Sequence, residues 1–153
     1  MAKIAIFPGS FDPITKGHES IVLRALPLFD KIVVAIGVNA TKKYHFSLEE
    51  RKRMIEKTFE NESKIEVGTY EGLTIDYCKQ REAKHILRGL RNTVDFEFEK
   101  SISQMNKAMQ DDIETIFFMT DPDLSAINST IVRDILRNGG NADSFLPDSI
   151  KTS

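Results

Sequence analysis

The chain has 153 residues, 41% of them hydrophobic and 29% charged, with a formal net charge of −2. That is enough chain for one domain with its own core and too little for two ordinary ones, and the composition excludes a disordered or coiled-coil protein. So small a net charge brings no general attraction to nucleic acid or anionic membrane, so any anion site has to be built locally.

KIAIF (3–7) opens the chain as an apolar run of strand length. Behind it, FPGSFDPITKGH (7–18) crowds two prolines and two glycines into one connection. Gly9 lets backbone approach a ligand, Ser10 offers a hydroxyl, Pro13 stiffens the turn, and Gly17 permits close packing where a helix begins. His18 falls in the first turn of that helix, where free N–H groups and the positive dipole end favour an anion. Along HESIVLRALPLF (18–29), Ile21, Val22, Ala25, Leu26 and Phe29 share one face, and Pro27 kinks or tightens the last turn. KIVVAIGV (31–38) is the second strand, and SLEERKRMIEKTF (47–59) starts a helix with Ser47 and Glu50 in capping-box register. KIEVGTY (64–70), LTIDYCKQREA (73–83) and HILRGL (85–90) continue the alternation as strand, helix and strand. A helix from about 92 to 110, the strand TIFFM (115–119) and the helix STIVRDILRN (129–138), stopped by Gly139 and Gly140, complete it.

Strands alternating with helices predict an α/β fold: a Rossmann-like, doubly wound parallel sheet of five strands, as a single domain over 1–153. In such sheets ligands bind beyond the carboxyl ends of the strands, where strand order reverses. Residues 8–17 therefore read as part of a phosphate site, although neither GxGxxG nor GxxxxGK(S/T) occurs. Cys78 stands alone, so no internal disulfide forms; it reads as a packed apolar group in a reducing cytosol. No run approaches the ~18 apolar residues of a membrane span, and a soluble cytoplasmic protein is expected. The histidines at 18, 45 and 85 lack zinc-ligand spacing, and no metal-binding residues are expected.

TKGH (15–18) matches the (H/T)xGH signature of the nucleotidylyltransferase superfamily, and INSTIVR (127–133) resembles its second signature, ISSTxxR. PGSFDPITKGH, NATKKYHFSLEER (39–51) and RGLRNTVDFEFE (88–99) then occur in the order and spacing found in the phosphopantetheine adenylyltransferases, a family this chain resembles over residues 3 to 148. The resemblance implies transfer of AMP from ATP to 4'-phosphopantetheine, releasing pyrophosphate and giving dephospho-coenzyme A. The acceptor phosphate is already ionised at neutral pH, so the task is to hold two anions in line and stabilise developing charge.

By this resemblance His18 is the catalytic residue, an N–H donor at the ATP α-phosphate. Its charge is left open, because a helix N-terminus disfavours imidazolium and bound phosphate favours it. Ser10, Phe11, Gly89, Leu90, Arg91 and Glu99 are implied at the nucleotide, as are Leu124, Ser125, Ala126, Ile127, Asn128, Ser129 and Thr130. Ser10, Lys42, Thr74 and Arg88 are implied at phosphopantetheine; the choice of Lys42 over Lys43 comes from the resemblance alone. Gly89 between Arg88 and Arg91 reads as a turn that aims both guanidinium groups into one cleft. Arg133 reinforces the charge at the last helix. On its residues alone, DFEFEK (95–100) is a helix face with Phe96 and Phe98 partly packed.

The resemblance also implies Mg2+ carried with ATP by phosphate oxygens and water, coenzyme A as a feedback ligand, and a homohexamer built as a dimer of trimers. Four positions depart from the family pattern: Lys16 for a frequent Asn, adding charge at the mouth of the site, Phe98 for Tyr, Asn128 for Ser, and Leu124 for a larger aromatic. A nicotinamide mononucleotide adenylyltransferase or a cytidylyltransferase shares the phosphate machinery, but Lys42, FSLEER and RGLRNTVDFEFE favour phosphopantetheine. A silent nucleotide-binding module is the reading from another class, and His18 argues against it.

Overall fold

The structure, a computed structural model, describes residues 1–151, so the last two residues of the expected 1–153 domain lie outside it. Strands β1 (Ile4–Gly9), β2 (Lys31–Gly37), β3 (Ile65–Tyr70), β4 (His85–Leu90) and β5 (Glu114–Met119) form one parallel sheet in the order β3-β2-β1-β4-β5. Between and after them run α1 (Lys16–Ala25), α2 (Leu48–Thr58), α3 (Thr74–Gln80), α4 (Thr93–Met109) and α5 (Ser129–Arg137). Strand alternation divides the core into two layers. Ala5 and Phe7 of β1 with Ile32, Val34 and Ile36 of β2 pack under Ile21, Val22 and Ala25 of α1 and Ile55 of α2. Ile6, Val33, Ala35 and Ile86 pack on the other face against Ile75, Tyr77 and Cys78 of α3.

Local chemistry sets the element ends. Ser47 and Glu50 close a reciprocal capping box on α2, and Pro27 turns the end of α1 into a 3-10 turn over Leu26–Leu28. α3 is shorter than its apolar pattern predicts: it stops at Gln80, and Glu82 reverses the chain at φ +55°. Gly89 lies inside β4 and makes no turn, which corrects the expectation for RGLR. There a Cβ would stand 3.1 Å from Ile21 Cγ1, so glycine is what lets α1 lie close on β4.

The order of strands reverses between β1 and β4, and the sheet opens there. β1 pairs with β2 from Ile4 to Gly9, but with β4 only at Ala5–His85 and Ile6–Ile86. Pro8 has no N–H to offer β4, and its carbonyl accepts from Arg88 Nη1 at 2.6 Å instead. The split leaves a crevice at the carboxyl ends of the two central strands, where ligands bind in such sheets.

Candidate active site

The β1–α1 connection orients His18 through a capping box that uses histidine in place of glutamate. Thr15 caps α1, accepting from the His18 N–H, while the Thr15 N–H donates to His18 Nδ1 at 3.0 Å. An acceptor at Nδ1 places the ring proton on Nε2. Phe11, at φ +48°, lays its ring edge-on to the imidazole at 5.0 Å. The protein packed round the ring, then the Arg88 and Arg91 charges, lower the His18 pKa to about 4. Burial and the acceptor role of Nδ1 both favour the neutral ring in the free protein. Nitrogen-15 spectra should show the Nε2–H tautomer down to about pH 4; a midpoint near 6.5 would contradict the cap geometry.

His18 faces a cavity of about 330 Å3 over the split between β1 and β4. Gly9, Ser10, Phe11 and Gly17 line it from the first connection, Arg88, Gly89 and Arg91 from β4 and its end, and Ile127, Asn128, Ser129 and Arg133 from the start of α5. The two signature segments are tied together: Ser129 Oγ donates to the Pro13 carbonyl at 2.9 Å, and Arg133 Nη1 to the Asp12 carbonyl at 2.9 Å. A Cβ on Gly17 would meet Thr15 Oγ1 only at 3.5 Å, an ordinary contact. Gly17 is thus a wall of the cavity, and the close packing expected of it is not what the position needs.

A second cavity of about 290 Å3 shares Pro8, Gly9, Ser10, Arg88 and Glu99 with the first. It runs on between α3 and α4 past Tyr70, Thr74, Ile102 and Asn106. Thr74, the first residue of α3, has its hydroxyl 2.8 Å from that of Tyr70. Lys42 Nζ donates to Ser10 Oγ at 3.3 Å from the β2–α2 loop.

Both arginines are paired. Glu99, a buried carboxylate, takes Arg88 Nε at 2.7 Å and Nη2 at 2.9 Å. Asp95 accepts from Arg91 through Nε, Nη2 and the backbone N–H, and the Arg91 side chain holds its carboxyl below the usual carboxylate range. The acidity of DFEFEK is therefore opposite the two cations. Of its aromatics, Phe96 leans on Phe117, while Phe98 is 67% exposed and unlike the partly packed residue expected.

Some expected site residues lie off the cavity wall. Leu90 is buried beneath it, and Thr130 accepts from Arg133 Nη2. Ser125 donates to the Pro122 carbonyl, and Leu124 lines a separate cleft with Lys16, Glu19 and Asp148. Lys16 thus stands in that neighbouring cleft and not at the mouth of the main cavity. Asn128 uses its side chain to cap α5, accepting from the Ile131 N–H at 2.9 Å.

Two residues carry more of the site than their sequence context suggests. Asp12, 3% exposed, accepts from the backbone N–H of His45 at 2.7 Å and of Phe46 at 2.9 Å. Arg51, 2% exposed, donates to the Ser10 and Phe46 carbonyls. Arg51 sits one residue past the α2 capping box, three residues after Leu48 and four before Ile55 on the packed face of the helix.

Residues 6–135 match the Cytidylyltransferase-like family. A phosphopantetheine adenylyltransferase of Flavobacterium johnsoniae is 60% identical over 147 residues, covering 96% of each chain. The chain belongs to the phosphopantetheine adenylyltransferase family. Within it, the Cytophaga hutchinsonii protein is 51% identical over 98% of this chain and 100% of its own. The Clostridium novyi protein is 42% identical over 97% and 92%. A crystal structure of a bifunctional NMN adenylyltransferase/ADP ribose pyrophosphatase from Francisella tularensis superposes with a TM-score of 0.73 at 20% identity. It covers 95% of this chain, which spans only 45% of that larger protein, and the likeness is one of fold. In this member of the family, residues of both signature segments, Thr15, Gly17 and His18 in one and Ile127, Asn128, Ser129 and Arg133 in the other, line one crevice.

Proposed function

We propose that the chain transfers AMP from ATP to 4'-phosphopantetheine, releasing pyrophosphate and forming dephospho-coenzyme A. An oxygen of the acceptor phosphate attacks the α-phosphorus in line as the bond to the β-phosphate oxygen breaks, and pyrophosphate leaves with that electron pair. One observation carries the reading: two cavities meet at Ser10 and Arg88, one beneath the helix starts of α1 and α5, the other running between α3 and α4. The first suits a triphosphate and the second an elongated arm ending in phosphate.

His18 Nε2–H donates to the transferring phosphoryl group as a neutral donor. Arg91, Asn128, Ser129 and Thr130 hold the β- and γ-phosphates, Thr130 with its side chain turned to Arg133. Phe11, Gly89, Glu99 and Ile127, which line the first cavity, bound the nucleoside. Lys42, Ser10 and Arg88 hold the acceptor phosphate, and Thr74 its arm. Arg88 uses three of the five guanidinium N–H donors on Glu99 and Pro8, which leaves donors for an anion.

Among the described residues no group of three or more His, Cys, Asp or Glu could hold a metal ion. Mg2+ would enter with ATP on phosphate oxygens and water, where it would neutralise charge. Coenzyme A carries the same arm as the acceptor and enters as a feedback ligand of the second cavity. The cytoplasm suits Cys78, whose thiol burial pushes up to about 11 and so keeps from reacting; no described helix is long and apolar enough to cross a membrane.

Assembly as a homohexamer is supported by α4. Val94, Phe98, Ile102, Met105 and Met109 recur at helical spacing and stand exposed, Val94 at 76% and Met105 at 65%. Light scattering should give the mass of about six chains, and Phe98→Asp should lower it; a monomeric wild type would remove the proposal. Pyrophosphate release with labelled ATP tests the activity itself. No product with phosphopantetheine, or turnover of nicotinamide mononucleotide in its place, would overturn the reading.

A further inference from the structure

The β2–α2 loop, residues 38 to 47, carries Lys42 and belongs to no strand or helix, yet Lys42 Nζ reaches Ser10 across 32 residues of sequence. We propose that Asp12 and Arg51 form a clamp that holds this loop against the β1–α1 connection, making both positioning residues that act through Lys42 on the acceptor phosphate. The inference rests on the assignment of Lys42 to that phosphate.

The contacts of the clamp converge on the same two loops. The Asp12 carboxylate takes the consecutive N–H groups of His45 and Phe46. Arg51 answers from the other side: Nη1 donates to the Ser10 carbonyl at 2.9 Å and Nε to the Phe46 carbonyl at 3.2 Å. Its guanidinium lies 3.9 Å over the ring of Tyr44, two residues from Lys42, and the Lys42 ammonium stands 5.5 Å from the same ring. Arg133 holds the Asp12 carbonyl, so the clamp is anchored to α5 as well. Backbone dipoles surround both buried charges, which makes their desolvation conditional on the loops staying closed. Arg51 and Tyr44 line neither cavity, so Arg51 reaches substrate only through the loops it joins; Lys42 stands at the rim, on the Ser10 hydroxyl, and Asp12 also lines the first cavity.

The fork geometry is what lysine cannot reproduce, so Arg51→Lys loosens the loop while keeping charge and length. Turnover of wild type, R51K, K42A and R51K/K42A is measured, with ATP affinity by calorimetry. R51K is expected to lower kcat/KM for phosphopantetheine by about 10- to 100-fold, the cost of a misplaced binding group, with ATP affinity unchanged. In the K42A background the same change is expected to cost less than about twofold, since coupled residues are non-additive. Equal losses in both backgrounds, or a matching loss of ATP affinity, would overturn the clamp. Should R51K melt early, D12N takes its place in the cycle, read by kcat/KM for phosphopantetheine in the two Lys42 backgrounds and by amide exchange, because Asp12 also lines the first cavity. If wild type failed to turn over phosphopantetheine at all, the functional assignment would fall instead. Faster amide exchange confined to residues 41–46 in the variants would then still uphold the clamp, and unchanged exchange would overturn it.

Discussion

His18→Ala is expected to lower kcat by about 100- to 1,000-fold, the usual cost of deleting one donor aimed at developing charge, and to change ATP affinity little. Binding the triphosphate falls mainly to Arg91 and the start of α5, neither of which leans on the imidazole ring; at the start of α1 the ring serves only to accept the Thr15 N–H. Loss of kcat and ATP affinity together would mean that His18 binds the ground state and the transition state alike. Protonation would need the Nδ1 lone pair, which already accepts from the Thr15 N–H. A neutral donor makes kcat independent of His18 titration from about pH 6 to about pH 8; an imidazolium donor would make it fall as pH rises through about 6.5. Stability follows the same chemistry. With a folded pKa near 4 against an ordinary 6.5, the unfolded chain takes the proton first, so wild type loses stability relative to H18A as pH falls through that window.

Local chemistry made much of this fold legible. HILRGL is β4 residue for residue, and Ser47 and Glu50 cap α2 as their spacing predicts. The first connection and INSTIVR converge on one crevice, as a doubly wound sheet requires. What stayed hidden depends on partners distant in sequence. Nothing near Asp12 announces that its carboxylate will meet the N–H groups of residues 45 and 46, or its carbonyl Arg133. Arg51 falls on the packed face of a charged helix, and the two loop carbonyls that satisfy its guanidinium there come from other segments. Gly89 looks like a turn glycine because its tight neighbour, Ile21, comes from another element. The Thr15–His18 capping box escapes a pattern written for Glu or Gln at its fourth position.

Arg88→Ala is expected to cut kcat/KM for the acceptor by at least about 30-fold, equivalent to about 2 kcal/mol of lost charge-assisted binding. It should also destabilise the fold by about 3 kcal/mol, because it leaves the Glu99 carboxylate buried without its cation. The two losses have different origins and separate in a double variant. Glu99→Gln removes the stranded charge, so R88A/E99Q should regain most of the melting temperature that R88A loses. Turnover should stay low, since the guanidinium that joins β4 to the Pro8 carbonyl where the cavities meet is gone. The single change E99Q should cost less stability than R88A, since the Pro8 carbonyl still accepts from Arg88. Recovery of activity together with stability in R88A/E99Q would show that Arg88 serves only to neutralise Glu99, and the acceptor phosphate would then have to be held by Lys42 and Ser10 alone.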